Sequence, residues 1–172
     1  SPDNLYFPGA LDDIRIYNRA LTADEVNRLY NIKINGNFKI TSLLTGTKLD
    51  TKYPVAHYKF DGNANDSSGF GYNGTLGDGS DSSKNPTLTT GYDGTTNGAY
   101  YFDGTDDYLT NNTIVNSSMT SFFGRDAFTI SLWINPGVSP STTPRAAINV
   151  GGLIVFHWGH SGSGYWQSWM VK

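Results

Sequence analysis

Short apolar segments with a period of two, each stopped by turn residues, constrain this chain more than any other feature. Phe128, Ile130, Leu132 and Ile134 alternate with Thr129, Ser131 and Trp133, and Pro136-Gly137 ends the run. That period suits a half-buried strand and no helix. Pro54–Phe60 repeats it, with Val55, His57 and Lys59 on one face and Ala56, Tyr58 and Phe60 on the other. Leu11, Asp13, Arg15 and Tyr17 alternate in the same way with Asp12, Ile14 and Ile16. Residues 99–102 and 107–110 flank the turn Asp103-Gly-Thr-Asp106 as a strand–turn–strand unit. Residues 146–158 and 165–171 supply at least two more strands. Glu25 is the only glutamate among fifteen acids. Long helices favour Glu, Lys and Ala, so this bias also points to strands joined by tight polar turns. The predicted fold is all-β, an antiparallel sandwich with one short helix.

That helix carries a complete start signal. Thr22 is an N-cap, Glu25 follows three residues later, and Leu21 and Val26 occupy the staple positions. Val26, Leu29 and Tyr30 form its apolar face. Residues 31–52 are a linker or a small hairpin, the Asn35-Gly36 pair being a strong two-residue turn signal.

Several function classes lose support here. A formal charge of −3 and no basic cluster argue against nucleic acid. No apolar run reaches the length of a membrane span. The chain has no cysteine, so disulfides and thiolate metal sites are excluded. The opening Ser-Pro-Asp, with neither Met nor signal peptide, reads as a piece of something longer or a processed product.

The stretch Phe60–Leu76, FDGNANDSSGFGYNGTL, is dense in oxygen ligands and glycine. Calcium takes six to eight such oxygens. The loop lacks the closing Glu and flanking helices of an EF-hand. Composition alone favours plain Asx-turn residues over a cation site. Asp103, Asp106 and Asp107 form a second acidic cluster, read as a turn between strands.

Together, FDGNANDSSGFGYNGTL, GAYYFDGTDDYLT and FTISLWINP resemble the first two thirds of a laminin G-like, concanavalin A-type lectin domain of the bacterial kind. FPGALDDIRIYNRALTADEVNRLY resembles the last strand and closing helix of the same family. The likeness covers roughly 3–35 and 53–135, with weaker agreement to 172. It implies a jelly-roll sandwich, and a calcium ion joining the first loop to the last strand. Asp66, Ser68, Asn73 and Asp12 are the matching positions.

The family's end precedes its beginning: the resemblance makes residues 1–30 the closing strand and helix of a lectin-like domain and 53–172 the opening two thirds of one. The chain straddles two tandem domains, or is a permuted domain, or shares strands with partner chains. A repeat boundary completed by neighbouring structure is the expectation adopted.

No catalytic constellation is legible. Glu25 is occupied as a cap, and Asp106 and Asp107 are adjacent, so they point to opposite faces of any strand. His57, His157 and His160 have no third ligand spaced nearby and read as structural or surface residues. Trp158, Tyr165, Trp166 and Trp169, with His160, are candidate sugar contacts, since sugar faces stack on exposed rings. Core packing claims some of them. The expected function is a noncatalytic, calcium-stabilised carbohydrate-binding or adhesive module at the cell surface or outside the cell. Its expected partners are a glycan or cell-surface ligand and neighbouring lectin-like domains or subunits. The alternative is a structural repeat or subunit of an adhesin, filament or phage fibre that binds no sugar.

Overall fold

The computed structural model describes residues 6–31, 53–111 and 127–137, and the backbone of 145–150, 153–157 and 166–171. It is an antiparallel β structure with one α-helix among the described residues. The strands are β1 (Pro8–Tyr17), β2 (Ala56–Tyr58), β3 (Thr75–Leu76), β4 (Thr87–Thr89), β5 (Ala99–Asp103), β6 (Leu109–Thr110), β7 (Thr129–Pro136), β8 (Arg145–Val150), β9 (Leu153–His157) and β10 (Trp166–Val171). The helix is α1 (Ala23–Asn31). The main sheet runs β10-β7-β1-β5-β4, and β2 also pairs with β1. Two further two-stranded sheets are β3-β6 and β8-β9. The expected hairpin across 32–40 lies outside the described residues.

β1 organises the sheet. One of its edges meets β7 from Gly9↔Pro136 to Tyr17↔Thr129. The other meets β5 through residues 8–11 and β2 through residues 14–16. The segment that resembles a closing strand therefore sits in one sheet with strands drawn from 56–136 of the same chain.

Simple alternation fails at one point in β1, and the failure shapes the molecule. The register to β7 shifts between Asp12 and Arg15, a bulge, and Asp13 takes φ +50°. One extra residue restores the phase afterwards. Leu11, Ile14 and Ile16 consequently share the core. Alternation had placed Leu11 opposite Ile14 and Ile16. The adjacent acids Asp12 and Asp13 are both kept out of that core, and both are nonetheless buried.

The core face of β2 and its extension falls where alternation puts it, with Ala56, Tyr58 and Phe60 buried together. Phe60 lies edge-on to Tyr100 at 5.2 Å and stacks near Tyr58 at 6.3 Å. Phe128, Ile130, Leu132 and Ile134 fill the same core.

The opposite face of β7 departs from the half-buried expectation, because Thr129, Ser131 and Trp133 are buried too. The reason is the cover supplied by the α1 region and the loop near Tyr92. Thr129 Oγ1 donates to Arg19 O at 2.9 Å and accepts from Leu21 N at 3.0 Å. Trp133 stacks on Tyr92 at 4.4 Å and on Tyr30 of α1 at 5.9 Å.

The capping box forms as its residues require. Thr22 N donates to Glu25 Oε2 at 2.9 Å, and Glu25 N donates to Thr22 Oγ1 at 3.3 Å. Arg19 adds a two-pronged pair to the same carboxylate at 2.7 and 2.8 Å. These bonds hold the Glu25 carboxyl low, at about 2, Arg19 being the largest cause.

The unit around Asp103–Asp106 is built differently from the expected strand–turn–strand. β5 enters the turn and β6 leaves it, but β6 pairs with β3 through Thr75↔Thr110 and Leu76↔Leu109. β4 takes the edge of β5 instead. No described helix is long and apolar enough to cross a membrane.

Candidate functional site

The loop after β2 folds around one carboxylate. Asp66 Oδ1 accepts from His57 N at 2.9 Å and Ser68 N at 2.8 Å. Its Oδ2 accepts from Tyr72 N at 3.0 Å and lies 2.7 Å from Ser68 Oγ. Ser68 Oγ is also 3.1 Å from Val55 O, and its single proton goes to the nearer, charged acceptor. A carboxylate offers about four acceptor positions, and here protein donors take four. Asn73 Oδ1 closes the ring by accepting from Asp66 N at 2.9 Å. Partial burial raises the Asp66 carboxyl, but the bonds from His57, Ser68 and Tyr72 outweigh it and leave the group below its ordinary value.

Asp66, Ser68 and Asn73 are thus brought together, and Asp12 is bonded elsewhere. Asp12 Oδ2 accepts from Tyr92 N at 2.9 Å, on the β1 bulge. Among the described residues, its hydrogen-bond partners and those of Asp66 do not overlap. Burial pushes the Asp12 carboxyl up to about 7; the Tyr92 bond opposes this, and the charges of Asp13 and Asp93 add to it.

A folded value above the unfolded value of 3.8 means that the native state binds the extra proton. Stability from this group is therefore full below pH 3.8 and declines as pH rises toward 7. Asp12→Asn keeps an acceptor for Tyr92 and removes the titration. Urea unfolding at pH 4 to 8 checks this: the wild-type decline through that window is expected to flatten in the variant.

Asp13 and Arg15, set on one face by strand alternation, form a cluster with His57. Asp13 Oδ2 meets Arg15 Nη2 at 2.9 Å, and Asp13 Oδ1 meets His57 Nε2 at 2.7 Å. Arg15 Nε also lies 3.2 Å from His57 Nε2. One nitrogen cannot donate and accept at once, so at the shorter contact His57 Nε2–H donates to Asp13 Oδ1. The bulge leaves Asp13 and Arg15 together on the face away from Leu11, Ile14 and Ile16, and the β1–β2 register sets His57 opposite Arg15. The sequence signal was the acidic doublet Asp12-Asp13 inside an apolar strand. His57, one of the histidines read as structural or surface residues, is tied into this cluster.

The acidic turn is the described group suited to a metal ion. Ligand atoms of Asp103, Asp106 and Asp107 all lie within 4.8 Å of one another. Two oxygens on opposite sides of a calcium ion stand about 4.6–5.2 Å apart, so one ion can span this set. Asp103 Oδ1 accepts from Thr105 N at 2.7 Å and from Asp106 N at 3.3 Å. Asp107 Oδ2 accepts from Asp103 N at 2.8 Å. Burial raises the Asp107 carboxyl, Asp103 N opposes this, and the neighbouring acids add to the rise. A bound cation would reverse that repulsion. The sequence reading treated these residues as a turn, which they also are.

Beyond the turn, β6 leads to Asn111. Its Nδ2 donates to Tyr72 O, and it reaches Tyr58 Oη at 2.9 Å and Asn73 O at 3.1 Å. The backbone at Tyr72 and Asn73 is thereby clamped. Phe70 stacks on Tyr72 with centroids 6.1 Å apart and planes 12° apart, and Phe70 is 41% exposed. This ring pair was not among the expected sugar contacts. Of those, Trp158, His160 and Tyr165 lie outside the described residues. Trp166 and Trp169 belong to β10, with Cα partners Ile134 and Ser131.

Comparison with family models, with curated proteins and with solved structures returned no match.

Proposed function

We propose that this chain is a noncatalytic, calcium-stabilised carbohydrate-binding or adhesive module of an extracellular or cell-surface protein, built as a concanavalin A-type jelly roll. One linkage carries the reading. The acidic turn at Asp103–Asp107 feeds β6, Asn111 follows β6, and Asn111 clamps the strip that bears the exposed Phe70 stacked on the half-buried Tyr72. A cation on the turn orders β6, and β6 fixes a ring platform beside Asn73. Sugar faces stack on such rings while amides bond the hydroxyls. A noncatalytic role fits the engagement of Glu25 in its cap and of Asp103 and Asp107 with backbone amides.

A glycan array with calcium and with chelator tests the reading. Specific binding is expected in calcium, lost on chelation and lost in Phe70→Ala. Calcium is also expected to raise the melting temperature of the wild type by several degrees, a gain of about 1–3 kcal/mol at saturating ion. Asp106→Asn is expected to abolish that rise. An unchanged melting temperature, with the array blank, removes both halves of the proposal.

The second reading is a structural repeat or subunit that binds no sugar. The saturated Asp66 loop favours it, since that loop is held by its own hydrogen bonds. A calcium response with a blank array selects this reading.

A further inference from the structure

Every registered strand partner of β1 lies beyond residue 53. Gly9 to Tyr17 pair with β7, Pro8 to Leu11 with β5, and Ile14 to Ile16 with β2. α1 follows β1 directly and docks on the same body, through Thr129 at Arg19 and Leu21 and through Trp133 at Tyr30. Within the unit, Arg19, Thr22 and Glu25 bond one another, so β1 and α1 form a local piece. The 21 residues 32–52 join that piece to the rest. Fully extended they reach roughly 70 Å.

Taking β1 away divides the sheet between β7 on one side and β5 with β2 on the other. Both edges would then present unpaired backbone groups, and the core would lose Leu11, Ile14 and Ile16. Such a gap accepts one strand of matching register, inward side chains and bulge. The segment that meets all three conditions is residues 8–31 of this same sequence.

We infer that β7 on one side and β5 with β2 on the other form a strand-acceptor slot that the β1–α1 segment of a second copy fills, giving an exchanged dimer. The juxtaposition behind it is a strand held on both edges, with every registered partner on the far side of a long connection. Closed and exchanged forms make the same contacts, so the balance between them is set by effective concentration and by the connection. A connection of this length gives an effective concentration on the order of millimolar. The closed monomer dominates in dilute solution. Exchange becomes substantial where copies are crowded along a fibre or surface. The inference is independent of glycan and cation binding.

The absence of cysteine supplies a clean test in the full chain. Ala10 and Asn135 are register partners across β1 and β7. Facing pairs on antiparallel strands have Cα atoms about 4.5–5.5 Å apart, within disulfide range. The double variant Ala10→Cys/Asn135→Cys, refolded dilute and oxidised, is expected to crosslink within one chain, which checks the register. Ala10→Cys and Asn135→Cys proteins are then mixed, unfolded together, refolded and oxidised. A covalent dimer linked at 10 and 135 is expected, identified by peptide mass spectrometry. Its fraction is expected to rise at least about tenfold between ~10 μM and ~1 mM protein. An intramolecular crosslink in the double variant with no mixed dimer at ~1 mM overturns the inference. So does failure of the double variant to crosslink at all, because the slot then lacks its register.

Discussion

Phe60→Ala is expected to lower the unfolding free energy by about 3–5 kcal/mol, the range for deleting a buried aromatic ring. Phe60 is 1% exposed and contacts two rings, Tyr58 in its own segment and Tyr100 of β5. β5 and β2 both border β1, so the cavity would open where three strands meet. Domains of this size have total stabilities of about 5–15 kcal/mol, so the loss removes a large share. Guanidinium unfolding reads it directly as a fall in midpoint.

A companion variant separates packing from backbone strain. Phe60 sits at φ +59°, where a side chain costs roughly 1–2 kcal/mol. Glycine carries no such cost but loses about 0.5–1 kcal/mol of chain entropy relative to alanine. Phe60→Gly is therefore expected within about 1 kcal/mol of Phe60→Ala, whereas at an ordinary strand position glycine would be clearly worse. A Phe60→Ala midpoint unchanged from wild type would mean that this ring does not hold the core.

Much of this architecture could be read from residue patterns, for identifiable reasons. The alternation of Ala56, Tyr58 and Phe60 survives because β2 is short and unbulged, so a period of two maps directly onto faces. The capping box survives because all its partners lie within six residues. What pattern could not supply was non-local. The bulge at Asp13 changes which side chains share a face, and alternation has no term for an inserted residue. The burial of Thr129, Ser131 and Trp133 depends on elements more than thirty residues away. The partner of β6 is β3, although β5 is nearer in sequence.

The site divides in the same way. Local bonding around Asp66 was legible, since carboxylates beside serine and glycine make turns. Which acids would gather around one point was not. Asp12 follows Tyr92, a contact 80 positions apart, while Asp103, Asp106 and Asp107 gather simply because the turn is short. Adjacent residues on a strand would have faced apart; on this turn, with Gly104 at φ +79°, they do not.

Asp66→Ala is the second large effect expected. It strands three backbone N–H groups, of His57, Ser68 and Tyr72, while the Ser68 hydroxyl turns to Val55 O. Each buried donor left without an acceptor costs about 1–3 kcal/mol, but the loop is partly exposed and water can reach some of them. A net loss of about 2–4 kcal/mol is expected on that basis. Asp66→Asn should fall between, because its amide carbonyl still serves two donors while its NH2 faces the Tyr72 N–H.

The acid limb distinguishes the two variants from the wild type. The Asp66 carboxyl is held below 3.8 in the native state, so its contribution is present above that pH and is lost as pH falls through the native value. Both variants should lack that loss. The same residue also separates the two ways the loop could be held. If protein donors hold Asp66, chelator leaves the amide-exchange protection of His57 and Tyr72 in the wild type intact, and only the substitution removes it. If a cation holds it, chelation of the wild type reproduces the Asp66→Ala pattern amide for amide, and the calcium assigned to the acidic turn moves to this loop.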